Sequence, residues 1–78
     1  MLKVRVINPE EIVFEGEASY VLAPGTSGHL GIFPSHAPLY AELTAGELVI
    51  HGSEEKAITI ERGILRVRSD ELTILIGL

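Results

Sequence analysis

Three histidines, one Ser-His pair and a glycine-rich run are the residues of this chain most able to do chemistry. His29, His36 and His51 are the only imidazoles, and no cysteine accompanies them. A tetrahedral metal centre draws on closely spaced Cys, His or carboxylate ligands, and this set is too sparse to supply one. Ser35-His36 invites a nucleophile reading, but neighbours in an extended loop point apart. Neither a G-x-S-x-G elbow nor an orienting acid goes with them. The run from Gly25 to Gly31 lacks the Lys-Ser/Thr ending of a phosphate loop and precedes no helical pattern, so turn geometry accounts for its glycines. No catalytic residue, metal ligand or cofactor site is expected, and no small-molecule substrate.

The elements that must carry these residues follow a period of two, interrupted at short intervals by Gly, Pro, Asn or Asp, as short strands joined by tight turns would be. In residues 2–7 the set Leu2, Val4, Val6 faces one way and Lys3, Arg5 the other, until Asn8-Pro9 ends the strand. Further strands are predicted over residues 12–14 and 18–22, with Gly16 as the break, and over 39–43, 47–51, 57–61, 64–68 and 72–76. Turn residues stand between them: Ala45-Gly46, Gly52-Ser53-Glu54-Glu55, Arg62-Gly63 and Ser69-Asp70. Helical periodicity is absent. Many short strands, each with one apolar face, bury those faces best against a second sheet. The expectation is an all-β fold, a two-sheet antiparallel β-sandwich of short strands, with a closed barrel as the alternative that period two does not exclude.

Composition bounds the rest. Seventy-eight residues make one domain near the lower limit of self-support, with no linker or repeat dividing residues 1–78. Without disulfides, stability has to come from the 46% of residues that are hydrophobic. With two Phe, two Tyr and no Trp the interior should be aliphatic. Eleven acidic against six basic residues give a net charge of −5, which repels a phosphate backbone and argues against nucleic acid or anionic lipid as a partner. The amino terminus has no continuous apolar h-region, and no apolar run nears the ~20 residues that span a bilayer. A soluble, intracellular protein is expected. Lys3 with Arg5, and Arg66 with Arg68, would form a small basic patch if they share a surface. A solvated face is the plainer reading.

One segment departs from alternation: Ala23-Pro24-Gly25-Thr26-Ser27-Gly28-His29-Leu30-Gly31-Ile32-Phe33-Pro34-Ser35-His36-Ala37-Pro38-Leu39, with three of the four prolines. Pro fixes φ and Gly opens otherwise forbidden backbone angles, so the segment should follow a rigid, irregular path and present a shaped surface. Within it, Gly28-x-x-Gly31-Ile32-x-Pro34-x-His36-Ala37-Pro38-Leu39 is similar to the G-x-x-G-I-x-P-x-H-A-P-L signature of ATP synthase epsilon subunits. The likeness extends over essentially the whole chain. It takes in Val4, Val6, Pro9, Phe14 and Gly16, then Leu43-x-x-Gly46-x-Leu48, Gly63-Ile64-Leu65-x-Val67 and Leu72-Thr73-Ile74-Leu75. His29 stands where many relatives carry an acidic or other polar residue, and Arg62 where a second glycine is common.

The resemblance implies a non-catalytic rotor part, the β-sandwich of the central stalk. It would bind the foot of the gamma subunit and rest on the loops of the membrane-embedded ring of c subunits. Contact with the membrane would then be through protein, at the cytoplasmic face of the cell membrane or an equivalent organelle membrane. The partner-binding residues carried over are Gly28, His29, Leu30, Gly31, Ile32, Phe33, Pro34, His36, Ala37, Pro38 and Leu39, with Leu30, Ile32 and Phe33 as an apolar rim. His36 can hold the loop by bonding a neighbouring carbonyl, touch a partner, or do both. In the family an inhibitory helical hairpin follows the sandwich. This sequence reaches Leu78 before any such helices, so neither inhibition nor nucleotide binding is expected of it. A second resemblance, Glu54-Glu55-Lys56-Ala57 to the E-x-D-K-A hairpin of lipoyl-type carrier domains, would make Lys56 a modification site. It covers four residues and lacks the Asp before the lysine.

Overall fold

The computed structural model describes residues 1–77, and among them every regular element is a β-strand. The strands are β1 (Leu2–Ile7), β2 (Ile12–Ala18), β3 (Tyr20–Gly25), β4 (Gly28–Ile32), β5 (Leu39–Leu43), β6 (Gly46–His51), β7 (Glu55–Ile60), β8 (Gly63–Arg68) and β9 (Glu71–Ile76). No helix among the described residues is long and apolar enough to cross a membrane.

One hydrogen-bonded path, β2-β1-β9-β8-β5-β3-β6-β7, runs through the whole molecule, with β4 added beside β3. Its weak point is the seam between β5 and β3, where register narrows to the single pair Gly25 and Leu43. There the sheet folds over on itself, so the two halves form the layers of the expected β-sandwich. The shortest extent of 18 Å, against 26 and 25 Å for the others, suits two sheets packed about 10 Å apart with side chains outside.

Alternation places the core as expected on β1, where Leu2, Val4 and Val6 are buried and Lys3 and Arg5 exposed. Val21, Ala23, Ile32, Leu43, Leu48, Ile50, Ile60, Leu65, Val67, Leu72, Ile74 and Ile76 join them in one aliphatic cluster, and among the described residues no polar or charged one is buried. Asn8 ends β1 as a turn: its Oδ1 accepts from the amides of Glu10 and Glu11, each at 2.8 Å.

Three features differ from the sequence-based expectation. Gly16 does not break β2 but lies inside it, paired with Val4. A Cβ there would come 3.3 Å from the Phe14 ring, so the missing side chain makes room for an aromatic neighbour rather than a turn. The segment expected to be irregular contains the end of β3 and all of β4, joined as a hairpin. The third is orientation: β1 and β9 run parallel, Lys3 opposite Glu71 through Ile7 opposite Leu75. Period two carries no information on direction, and no hairpin links the first strand to the last.

Candidate partner-docking site

Residues 28–39 divide into a strand and a short connector. The strand is β4, paired with β3 from Val21 opposite Ile32 to Gly25 opposite Gly28 around the two-residue turn Thr26-Ser27. The hairpin closes this tightly because position 25 has no side chain: a Cβ there would lie 2.6 Å from the Gly28 carbonyl oxygen. Alternation along β4 then separates the candidate residues. Leu30 and Ile32 sit opposite Ala23 and Val21 on the core side, whereas His29 and Gly31 face outward.

Ile32 is fully buried, which corrects its expected place on an apolar rim. Leu30 is half-buried against the core, and only Phe33 of that trio is well exposed, at 53%. The exposed apolar surface is assembled from other residues. Leu22 lies opposite Gly31 and is exposed, and a Cβ on Gly31 would meet both the Phe33 ring at 3.3 Å and Leu22 at 3.6 Å. Tyr20 continues the surface, with ring centroids 5.4 Å from Phe33 and 4.7 Å from His51, the latter stacked at 11°. His51 Nδ1 is in turn 3.3 Å from Glu55 Oε1. The outward-facing Leu22, where strand alternation calls for a polar residue, was the sequence signal for this surface.

Residues 33–36 form a type II turn. The His36 amide donates to the Phe33 carbonyl at 3.2 Å, Pro34 takes the second position, and Ser35 the third at φ 66°. The Ser35 amide donates to Asp70 Oδ1 at 2.6 Å. Asp70 sits in the β8–β9 turn, where Ser69 and Asp70 at φ 50° and 62° make the type I′ geometry of tight hairpins. Its own carbonyl accepts from the Lys3 amide at 2.8 Å. Asp70 thus fastens the connector to the body, and sequence reasoning missed it. Ring atom Nδ1 of His36 is 2.7 Å from the Ala37 carbonyl oxygen, which only accepts, so Nδ1 carries the proton and donates. The local bond anticipated for His36 is present. Among the described residues no hydrogen bond joins the His36 ring to Ser35, so the pair has no nucleophile geometry. Pro34, Ala37 and Pro38 are exposed, and Leu39 packs against the core as β5 begins.

The left-handed Ser35 supplies one test. Glycine there relieves about 1 kcal/mol of backbone strain and returns a similar amount through the freer unfolded chain. Ser35→Gly should therefore stay within about 0.5 kcal/mol of wild type in urea denaturation, whereas the β-branched Ser35→Val should lose about 1–2 kcal/mol.

Residues 1–77 match the family model for the ATP synthase delta/epsilon chain, β-sandwich domain. The chain belongs to that family. Its ATP synthase epsilon-chain relatives include that of Acidithiobacillus ferridurans, 44% identical over 75 residues, which cover 95% of this chain and 53% of the relative. Another, from Leptospira interrogans, is 41% identical over 75 residues, covering 95% and 59%. The chain thus spans a little over half the length of these curated relatives. Among solved structures, a chain of the Euglena gracilis mitochondrial ATP synthase (OSCP/F1/c-ring, rotational state 1) superposes with a TM-score of 0.90 at 15% identity, covering 99% of this chain and 51% of that one. A chain from the central stalk and c-ring of the Tetrahymena thermophila enzyme gives 0.83 at 17% identity, covering 96% and 62%. These two likenesses are of fold. The epsilon-type assignment leaves no place for the carrier-domain reading, and Lys56 lies within β7 opposite Ile50 rather than at a turn tip.

Proposed function

We propose that residues 1–78 act as a single non-catalytic domain in the central stalk of an F-type ATP synthase. In this reading it binds the gamma subunit and the c-subunit ring and helps couple ion translocation to ATP synthesis. It works at the cytoplasmic face of the cell membrane, as a peripheral part held there by protein. The observation that carries the reading is the exposed turn of residues 33–38, fixed by the Asp70 carboxylate and flanked by Phe33, Tyr20 and Leu22. A rotor part has to pass torque without local deformation, and a close-packed aliphatic sandwich resists it. A ledge already fixed in shape has little conformational entropy left to lose when a partner arrives.

The test is a pull-down with gamma from the same source, comparing wild type, His36→Ala and the double change Pro34→Gly, Pro38→Gly. Softening both prolines should lower retention about tenfold, an effect of the size that ordering several side chains or loop residues has on binding. His36→Ala should lower it less. Equal retention of all three proteins would overturn the ledge as the docking surface.

A further inference from the structure

The four cations that the sequence placed in two pairs share one outer face. Register across β2, β1, β9, β8 and β5 sets them in two rows. One runs Glu15, Arg5, Thr73, Arg66, Tyr40, and the other Glu17, Lys3, Glu71, Arg68. With Glu42, the other outward residue of β5, this face holds four of the six basic residues and four of the eleven acidic ones, so it is neutral while the remainder of the chain carries five negative charges; within the two rows alone the balance is one positive charge. The second row is balanced, two acids against two bases. In the first, Arg5 is matched by Glu15 at 3.2 Å, and the excess charge falls on Arg66. Its register neighbours are a threonine and a tyrosine, and no ion pair to Arg66 or Arg68 occurs among the described residues.

Arg66 and Arg68 also stand between two surface depressions of about 310 Å³ each. One is lined by Pro38, Leu39, Tyr40 and Val67 beside the two arginines, the other by Ser69, Glu71 and Thr73. Tyr40 is 69% exposed. Pro38 and Leu39 make the first depression continuous with the ledge of residues 28–39.

We propose that Arg66 and Arg68, with Tyr40 and Pro38, form a second docking surface for an extended acidic segment of a protein partner. Residues two apart on a strand stand about 7 Å apart on one face, the same spacing as alternate side chains of an extended ligand. Carboxylates at alternate positions of such a segment therefore meet the two guanidiniums in step, and each guanidinium can hold a carboxylate by two hydrogen bonds. Tyrosine and arginine together are the composition of strong contact points, whereas a solvated face needs no exposed aromatic beside an unmatched cation. The site rests on charge and register rather than on the gamma and c-ring reading, so each stands or falls separately.

The probe is a fluorescein-labelled peptide of alternating Glu and Thr, titrated against the full chain by anisotropy at low and at moderate salt, beside vesicles of anionic phospholipid. Binding to the peptide should weaken at least tenfold in Arg66→Glu, Arg68→Glu, and several-fold in wild type between 50 and 300 mM salt. The charge-reversed control Lys56→Glu, on β7, should bind like wild type. The double variant retains its exposed sites, and its circular dichroism and urea midpoint should match wild type. Peptide binding equal in the double variant and wild type would overturn the proposal. So would binding to the vesicles alone, which would assign the arginines to a lipid surface.

Discussion

Ile32→Ala should destabilise the domain by about 3 kcal/mol, the cost of emptying a fully buried aliphatic site that its neighbours only partly refill. Set against the ~4–12 kcal/mol that holds a chain of this length folded, such a loss removes a large share. Phe33→Ala, one residue further on, should cost only about 1 kcal/mol, because the ring is half in solvent and its packing is chiefly against Tyr20. Binding should show the reverse order: Phe33→Ala loses partner retention while its urea midpoint barely moves. Ile32→Val, which removes a single methyl, should fall near 1 kcal/mol. Denaturation curves for the three variants decide the matter, and an Ile32→Ala loss below about 1 kcal/mol would mean that β4 does not seal the core.

Asp70→Ala should cost about 2 kcal/mol and release the ledge. Roughly half comes from holding alanine at φ 62°, and the rest from the hydrogen bond to the Ser35 amide. Asp70→Asn keeps both an acceptor at Oδ1 and a residue that tolerates left-handed backbone, so it should remain within about 1 kcal/mol of wild type. The distinguishing measurement is amide hydrogen exchange at Ser35. Protection should vanish in Asp70→Ala and persist in Asp70→Asn, with the β1 and β9 amides unchanged in both. Full protection of Ser35 in Asp70→Ala would show that the turn holds itself.

How much of this could be read from the chain depends on the range of the interaction. Where one residue's face is set by its immediate neighbours, the sequence was sufficient. Leu2, Val4 and Val6 went inside, and Ser69-Asp70 formed a turn, because alternation and turn chemistry are local. β4 escaped notice because a histidine and a glycine occupy its outward positions and another glycine begins it, leaving only Leu30 and Ile32 to mark it. That is also why Ile32 was assigned to the surface. Asp70 lies 35 positions from Ser35 and Tyr20 lies 31 from His51, and no local pattern announces pairings created by sheet register. The family signature marked out residues 28–39, but not which of their side chains reach solvent.

The parallel seam between β1 and β9 has a mechanical consequence. Because the first and last strands lie side by side and point the same way, tension drawing Leu2 backward and Ile76 forward slides one strand along the other. All five register pairs from Lys3 to Ile7 then resist together. In an antiparallel hairpin such as β8–β9, the same tension peels rungs apart one after another, each alone. The seam is therefore a shear joint, a lap rather than a zip, and it braces the body against being prised open from its two end strands.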